Sequence, residues 1–311
     1  MQPIGGTELQ YKQLEKYVDS KLLSNFQITT SVPEKIPLAK DKINILWEQN
    51  SFDQPNLAPW FKNKENHTKY DWYVFNSHWC YEKFRMRFKI PCHKSTVIKN
   101  AVERFPEKIF IRKNKVKLIY HSTPWRGLNV LLGAMQLVKN KDVELDVYSS
   151  TQIYGDQFKK HNDDQYKGLY EQAKALPNVN YIGYVSNEEI KKKLQEYDLY
   201  CFPSIWEETS CISAIEALTA GLHMITTNYG ALFETCSEWP VYVNYTKDYK
   251  DLAKLFAFSI DEVCNYLYKG TVPDFLKRQQ AFYNDFYSWD RRKSEWSQFL
   301  QGLLNEHRSK L

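Results

Sequence analysis

Short apolar runs alternate with amphipathic stretches along this chain, which is the pattern of strands alternating with helices. In the first third, four such runs predict short buried strands at residues 26–30, 43–47, 71–75 and 95–98. Stretches with helical spacing accompany them at residues 6–18 and 78–88. This alternation predicts an α/β layer built on a parallel sheet.

A polar stretch at residues 106–114, which begins with a proline, predicts a linker between two domains. After it the alternation resumes, and further strands are predicted at residues 116–120, 144–149, 178–183, 198–202 and 223–227. Two doubly wound α/β domains are the simplest account of this arrangement. We therefore predict an N-terminal domain over residues 1–106 and a C-terminal domain over residues 107–289.

The composition excludes several classes of protein. With 311 residues, of which 43% are hydrophobic and 15% aromatic, the chain can bury two cores and is not disordered. It has no apolar run of 18 residues and its N-terminus lacks the features of a signal peptide, so we expect a cytosolic protein. The six cysteines form no C-x-x-C pair, and neither a zinc knuckle nor a disulfide framework is expected.

The net charge of +5 belongs to the first third of the chain. Residues 1–106 carry 16 Lys and Arg against 11 Asp and Glu, whereas the remainder carries 26 of each. This asymmetry indicates either an anionic partner or an ordinary solvated basic face. The helical stretch 78–88 and its flank concentrate the cations, and we predict that they help to hold an anionic acceptor or a membrane surface: Lys83, Arg85, Arg87 and Lys89. Nucleic acid is not expected, because no recognition helix, zinc ligands or RNA-binding aromatic signature is present.

Three polar loops of the C-terminal domain follow predicted strands, at residues 121–127, 183–189 and 203–210. Ligands of open parallel sheets bind at the carboxyl ends of the strands, so these loops are the candidates for one shared crevice.

The third loop leads into a predicted helix that ends at Gly221, and Thr209 or Ser210 is expected to be its N-cap. A helix start of this kind favours an anion such as phosphate, here on the backbone N–H groups of Ser210, Cys211 and Ile212.

Two carboxylates bracket this helix start. Glu208 lies in the loop before the helix, and Glu216 lies at the edge of the apolar stripe of the helix. Two glutamates eight residues apart are also common in helical proteins, so the spacing alone does not establish a site.

The stretch PSIWEETSCISAIEALTAGLHMITTNYGALFE, residues 203–234, resembles the Glu-x7-Glu region of GT-B-fold retaining glycosyltransferases, family 4 in particular. The Pro, Trp, Glu-Ala and Ala-Gly positions match, and the resemblance covers most of residues 70–300. It implies a GT-B fold, in which two Rossmann-like doubly wound domains face a central cleft. The segment from about 290 to 311 resembles the closing helix that returns to the first domain.

The resemblance also implies roles for residues of the C-terminal domain. Glu216 would bind the ribose of a nucleotide sugar and Glu208 the hydroxyls of its sugar, while the backbone of Ser210, Cys211 and Ile212 would hold sugar and diphosphate. Arg126 and Gly127 occupy the place of the family's phosphate-binding cation, and Arg suits this task because its fork donates two parallel hydrogen bonds. Where many members carry a second cation, this chain has His121, Ser122 and Thr123, of which the hydroxyls are the expected donors.

The segment 183–189 resembles the part of the family that reads the nucleotide base. Ser186 and Glu189 predict a capping box, which places Tyr184 and Val185 in the loop that enters the helix. Tyr184 either stacks on the base or packs on the neighbouring helix.

The N-terminal domain matches the family less closely. Gly5 and Gly6 resemble the glycine-rich turn that contacts donor and acceptor, but only four residues precede them, so a first strand is either lacking or replaced by another segment. Where the family commonly has a histidine after an N-domain strand, this chain has Glu48-Gln49-Asn50.

The sequence therefore predicts a retaining, metal-independent hexosyltransferase that uses a nucleotide-diphosphate sugar, most simply a UDP-sugar, and no further cofactor. The acceptor hydroxyl belongs to a glycan, a lipid-linked molecule, a polymer or a protein. No Asp-x-Asp motif or histidine cluster indicates a metal. Two alternatives remain: a non-catalytic partner subunit of the same fold and a nucleotide-sugar epimerase.

Overall fold

The computed structural model describes residues 5–111 and 113–309. The chain divides into two compact units. The N-terminal unit comprises residues 6–103 together with the final segment from Phe286, and the C-terminal unit comprises residues 104–285. Each unit is a parallel sheet with helices packed against it.

The N-terminal unit begins with two helices and then alternates strands with helices. Its elements up to residue 103 are α1 (Gly6–Tyr17), α2 (Ser20–Leu23), β1 (Phe26–Thr30), β2 (Ile43–Glu48), α3 (Ala58–Lys62), β3 (Trp72–Phe75), α4 (His78–Phe88) and β4 (Ser95–Val97). The four strands are parallel and lie in chain order, β1-β2-β3-β4. The predicted strands and the two predicted helices of this region are confirmed within two residues.

The C-terminal unit contains a larger sheet. Its elements are β5 (Val116–His121), α5 (Leu128–Leu137), β6 (Val143–Tyr148), α6 (Asp156–Asn162), α7 (Lys167–Ala175), β7 (Val179–Tyr181), α8 (Asn187–Lys193), β8 (Leu199–Phe202), α9 (Ile212–Thr219), β9 (His223–Thr227), α10 (Leu232–Cys236), β10 (Val241–Val243), α11 (Tyr249–Tyr266) and α12 (Val272–Phe286). The five predicted strands are present, and β10 is a sixth that the sequence did not indicate. All pairings are parallel.

The last helix, α13 (Trp289–Arg308), belongs to the N-terminal unit. It packs with α1 on one face of the sheet, where Trp296 contacts Trp47 edge to face at a centroid distance of 4.9 Å. The opposite face carries α3 and α4, whose Phe61 and Phe84 lie in a second buried cluster. Strand β2 is covered on both faces, and all six of its residues are buried, including the polar Asn44 and Glu48.

The strand order of the larger sheet is β10-β9-β8-β5-β6-β7. Strands β5 to β7 extend the sheet in one direction and β8 to β10 extend it in the other. The order therefore reverses between β5 and β8, which pair through Leu118 opposite Leu199 and Ile119 opposite Tyr200. Such a reversal opens a crevice at the carboxyl ends of the two strands and is where open α/β sheets bind ligands.

The segment predicted as a linker carries no helix or strand in its described residues. It is nevertheless held firmly to the C-terminal unit. The backbone N–H of Lys108 donates to Oε1 of Gln280 at 2.9 Å, and its ammonium donates to the carbonyl of Tyr197. Burial lowers the pKa of Lys108 to about 8.

None of the helices in the described ranges is long and apolar enough to cross a membrane.

Candidate functional site

The loops after β5 and β8 meet through an ion pair at the point where the strand order reverses. Nη1 of Arg126 lies 2.6 Å from Oε1 and 2.5 Å from Oε2 of Glu208. The Glu208 side chain is only 3% exposed, whereas that of Arg126 is 24% exposed. Burial raises the pKa of Glu208, and the Arg126 guanidinium acts in the opposite direction. The Arg126 guanidinium is thus partly exposed at the edge of the sheet, whereas the Glu208 carboxylate is buried.

Gly127 allows the Arg126 loop to approach the loop after β8. Residues Pro124–Arg126 form a short 3-10 turn, and Gly127 follows with φ of 114°, a conformation that L side chains rarely adopt. A Cβ at this position would lie 2.1 Å from the carbonyl oxygen of Pro203. Only glycine therefore permits this contact between the two loops.

The loop after β8 is ordered by its own polar side chains and by β9. Oγ of Ser204 donates to the carbonyl of Trp206 at 2.9 Å, and Oγ1 of Thr227 donates to the carbonyl of Ser204 at 2.7 Å. Because Thr227 is the last residue of β9, this second bond fixes the loop to the neighbouring strand.

The loop after β9 holds the backbone of Glu208, and the sequence analysis did not single it out. The N–H of Ala231 donates to the carbonyl of Glu208 at 2.7 Å. Gly230, with φ of 65°, lies so close that a Cβ would be 2.4 Å from the nitrogen of Glu208. The signal in the sequence was a glycine in a loop after a buried strand, which is a weak one.

Helix α9 begins one residue later than expected. Its N-cap is Cys211, whose backbone is left-handed with φ of 64°, so the prediction that Thr209 or Ser210 caps the helix is wrong. Glu208 is held by Arg126 through its side chain and by Ala231 through its carbonyl. With Glu208 fixed in this way, the chain turns into the helix at Cys211. The left-handed conformation is uncommon for a residue with a Cβ and occurs often at functional sites. Gly221 follows the C-cap residue with φ of 81°, which confirms the predicted helix end.

Ser210, Cys211 and Ile212 form the segment between Glu208 and the first turn of α9, and Ser210 and Cys211 are buried. Burial raises the pKa of the Cys211 thiol to about 12, so this cysteine stays neutral and is not an activated nucleophile.

Glu216 forms a second ion pair, with a residue that the sequence analysis missed. Lys191 of α8 places its ammonium 3.4 Å from Oε1 of Glu216, and the Glu216 side chain is 10% exposed. Burial raises the pKa of Glu216, while Lys191 acts to lower it. This pair links α8 to α9. Lys191 lies among three consecutive lysines at the end of α8, and nothing local distinguishes it from its neighbours.

The segment 183–189 has the predicted local structure. The N–H of Glu189 donates to Oγ of Ser186 at 3.3 Å, and the N–H of Ser186 donates to Oε2 of Glu189 at 3.2 Å, so the capping box of α8 is confirmed. Tyr184 and Val185 are half-buried in the loop between β7 and α8, at the carboxyl edge of the sheet.

Polar atoms without a protein partner line the end of β5. Nε2 of His121 and Oγ1 of Thr123 are buried and have no hydrogen-bond partner among the described residues. The His121 ring lies 4.7 Å from that of Tyr200, and burial lowers its pKa to about 3, so the imidazole is neutral. Ser122, between them, is half-buried. Buried polar atoms without partners cost free energy, and a bound ligand or water at this edge would satisfy them.

Gly6, the remaining predicted site residue, lies in the N-terminal unit, where it begins α1. The residues before the glycine pair, on which the question of a preceding strand depends, lie outside the described part of the chain. Within residues 5–111 and 113–309, no group of three or more His, Cys, Asp and Glu side chains is arranged to hold a metal ion.

Comparison with known protein families identifies the family of this chain. The family model described as "Glycosyl transferases group 1" matches residues 101–262, more than half of the chain, and the chain belongs to this family. No curated protein matches the sequence.

Solved structures of glycosyltransferases are similar in fold. A glycosyltransferase from Rickettsia africae matches with a TM-score of 0.72 at 15% identity, over 98% of this chain and 83% of that one. Anabaena HepE in complex with UDP-glucose matches with a TM-score of 0.62 at 14% identity, over 84% of this chain and 72% of that one. The pneumococcal O-GlcNAc transferase GtfA, in complex with UDP and GlcNAc, matches with a TM-score of 0.62 at 12% identity, over 85% and 53% of the two chains. The two Rossmann-like units thus have the GT-B fold.

Proposed function

We propose that this protein is a retaining glycosyltransferase of the family 4 type, which transfers a hexose from a UDP-sugar to an acceptor hydroxyl. The observation that carries the proposal is the ion pair of Arg126 and Glu208 at the reversal point of the sheet. A cation and a carboxylate side by side at this edge suit a ligand that is anionic at one end and rich in hydroxyls at the other. The structural similarity to HepE in complex with UDP-glucose supports the same class of donor.

In this proposal Arg126 binds the diphosphate. Its fork donates paired hydrogen bonds to phosphate oxygens, and its partial exposure places the guanidinium at the edge of the sheet. The hydroxyls of Ser122 and Thr123 and the backbone of Ser210, Cys211 and Ile212 supply further donors. Oγ1 of Thr123 has no hydrogen-bond partner within the described part of the chain, which fits such a role.

Glu208 and Glu216 have different tasks. Glu208 accepts hydrogen bonds from hydroxyls of the donor sugar while it also orients Arg126. Glu216 binds the ribose, with Lys191 holding its carboxylate in place. Tyr184 and Val185 contact the base.

The reaction proceeds on one face of the sugar. The bond between C1 and the β-phosphate oxygen breaks, with its electron pair leaving on UDP, and the acceptor oxygen bonds to C1 from the same side. The acceptor proton passes to an oxygen of the departing diphosphate, so atoms and charge balance with no protein nucleophile. The protein contributes position and charge, through Arg126 on the leaving group and Glu208 on the sugar as it gains positive character.

The proposed reaction uses no metal ion and no cofactor beyond the donor, because Arg126 and the amides neutralise the leaving diphosphate. We expect transfer and donor hydrolysis to proceed unchanged in EDTA. Loss of both activities in EDTA, with recovery on adding Mg²⁺ or Mn²⁺, would contradict this part of the proposal.

The acceptor is a hydroxyl of a glycan, lipid-linked molecule, polymer or protein, and the basic helix α4 contributes weak attachment to a membrane surface.

The test is to measure UDP binding by calorimetry beside the release of free UDP from UDP-glucose and from UDP-N-acetylglucosamine. A transferase binds UDP and slowly hydrolyses at least one donor. Binding without hydrolysis or transfer would favour a non-catalytic subunit, and conversion of the donor sugar without release of UDP would favour an epimerase. Absence of binding to either donor and to UDP would overturn the proposal.

A further inference from the structure

Helix α11 carries apolar side chains on the face that points away from the core. Its other face supplies the core of the C-terminal unit with Leu252, Ala253, Phe256, Ala257, Ile260 and Val263. Two further apolar residues of this helix, Leu255 and Phe258, are exposed, and Phe258 is exposed to 64%. The solvent-facing positions of a surface helix are normally polar, so packing within the chain does not account for these two residues.

The exposed residues of α11 from Asp251 onward form a single stripe. They are Asp251, Lys254, Leu255, Phe258, Glu262 and Asn265. With 3.6 residues per turn, these six positions fall within an arc of about 100°, opposite to the buried face of the helix. Phe258 lies at the centre of this arc and midway along its length. We call these six residues the α11 stripe.

Helix α5 adds a third exposed apolar side chain beside the stripe. The two helices lie side by side, because a Cβ at Gly133 would be 3.3 Å from that of Ala253. Further along, the N–H of Lys139 donates to Oδ1 of Asp261 at 3.1 Å. The exposed Leu137 of α5 lies between these two contacts. It is therefore level with the turn of α11 at the middle of the stripe.

The charges of the stripe are complementary to the same stripe in reversed orientation. Counted from Phe258, Lys254 lies four residues before and Glu262 four residues after. If a second copy packed its stripe antiparallel about a two-fold axis at Phe258, each Lys254 would come opposite Glu262 of the second copy. Asp251 would likewise come opposite Asn265, whose amide donates to carboxylates. A two-fold interface requires this property, because the same surface patch meets itself.

The stripe also has the composition of a small protein interface. Phe258, Leu255 and Leu137 of both copies would form an apolar centre, and the pairs of Lys254 with Glu262 would form a charged rim. An anionic membrane surface fits less well, because the stripe carries one cation against two carboxylates, whereas such lipids attract an excess of cations.

The size of the surface suits a dimer of modest affinity. Helix α11 has 18 residues and is therefore roughly 27 Å long. Together with the end of α5, a pair of such helices gives an interface at the lower end of the range for specific complexes.

We propose that the α11 stripe binds a second copy of this chain, so that the protein forms a two-fold symmetric dimer with Phe258 on the axis. The two α11 helices pack antiparallel, with Lys254 of each copy paired to Glu262 of the other. The dimer dissociates in the micromolar range. The inference goes beyond the proposed function and does not rest on it, because no residue of the stripe belongs to the proposed donor site.

The experiment is sedimentation velocity on the full chain without ligand, from about 1 to 200 µM. We expect the sedimentation coefficient to rise with concentration from that of a monomer to that of a dimer. Phe258→Ser should raise the dissociation constant of the dimer about tenfold or more, since a central aromatic residue contributes most to such an interface. Phe233→Ser is the matched control, because Phe233 is 61% exposed but lies on α10; it should leave the dissociation constant unchanged.

A charge exchange tests the antiparallel arrangement itself. Lys254→Glu and Glu262→Lys each place like charges opposite one another, twice in every dimer, and should each raise the dissociation constant about fivefold or more. The double variant restores opposite charges and should return the constant to within about threefold of the wild-type value.

Lys174→Glu controls for a lost ion pair within one helix. It breaks the exposed pair of Lys174 with Glu171, which has the same spacing as the pair of Lys254 with Asp251. Dimer formation should not change in this variant.

A chain that stays monomeric over the whole concentration range overturns the proposal and leaves the stripe to a different protein or to lipid. A dimer that forms equally well in Phe258→Ser also overturns it, because the interface then lies elsewhere. A double charge variant that dimerises no better than either single variant rules out the antiparallel pairing. The proposed function is tested separately by UDP binding, which none of these outcomes affects.

Discussion

Gly127 lies against Pro203 so closely that a single added methyl group would stand 2.1 Å from the Pro203 carbonyl oxygen. This contact joins the loop that carries Arg126 to the loop that carries Glu208. With the two loops in contact, the side chains of Arg126 and Glu208 lie within ion-pair distance.

Gly127→Ala should therefore separate Arg126 from Glu208. We expect a loss of stability above about 1 kcal/mol, from the left-handed φ and the clash with backbone together, and a weaker affinity for UDP. Urea denaturation and UDP calorimetry measure the two effects. Gly270→Ala is the matched control, because Gly270 also has positive φ but no atom within 4 Å of its added Cβ. A Gly127→Ala chain that binds UDP as tightly as Gly270→Ala would show that the ion pair does not serve the diphosphate.

Glu216→Ala should mainly weaken binding. A charged hydrogen bond to the ribose contributes about 1.5–3 kcal/mol and acts in the ground and transition states alike, so UDP and the UDP-sugar should lose affinity equally. Calorimetry with UDP is the measurement. Glu171→Ala, which breaks an exposed pair with Lys174, serves as a control for the loss of an ion pair alone. If wild type and Glu216→Ala bind UDP with equal affinity, Glu216 does not bind the ribose.

Glu208→Gln should act on turnover instead. The amide retains an acceptor for Arg126 and for sugar hydroxyls, so UDP affinity should stay within about threefold, but it carries no charge to stabilise the sugar as it becomes positive. The rate of donor hydrolysis should fall by about tenfold or more. Rates measured at saturating donor, beside UDP titrations, separate the two quantities. If UDP affinity falls as far as in Glu216→Ala, Glu208 is not the sugar contact.

Acid should destabilise the C-terminal unit through His223. Nδ1 of His223 accepts from the N–H of Met224 at 2.8 Å, and burial lowers the pKa of His223 from 6.5 to about 4. A folded-state pKa below the unfolded one gives stability that is complete above pH 6.5 and is lost as the pH falls toward 4, on the order of 3 kcal/mol at most. His223→Asn keeps an acceptor near Nδ1 without this titration, and its urea-unfolding free energy should vary less between pH 7 and 4. The exposed His93→Gln is the control; the same pH slope in all three chains would contradict the prediction.

The basic helix α4 should bind anionic vesicles weakly. Arg87 and Lys89 are exposed beside Met86, which is 65% exposed, whereas Arg85 is paired with Glu82 at 2.6 Å and Lys83 lies over the Trp79 ring. Each free cation near an anionic surface contributes about 1 kcal/mol, screened by salt. Sedimentation with phosphatidylserine vesicles should therefore fall with salt and with Arg87→Glu/Lys89→Glu, but not with Lys254→Glu on α11. Vesicle binding that changes neither with salt nor with the double substitution would contradict the prediction. Helix α4 would then be an ordinary solvent-exposed helix.

Local sequence determined the elements of this protein and several of their ends. Strands β2 and β8 are mostly apolar because both of their faces are covered, and the residues themselves carry that signal. The capping box of Ser186 and Glu189 and the helix end at Gly221 were equally visible, because each depends on hydrogen bonds or backbone angles within a few residues.

Tertiary structure alone decided the partners of the site residues. Glu216 pairs with Lys191 from another helix, and Gly230 packs against Glu208 from another loop. Neither contact can be predicted from the residues that neighbour these positions in the sequence. Strand β10 has only three residues and forms because β9 offers it an edge. The cap of α9 fell at Cys211 because contacts on both sides of Glu208 fix the loop path. Such contacts depend on the strand order, which is settled by how distant segments pack, whereas propensity and spacing report only on residues close along the chain.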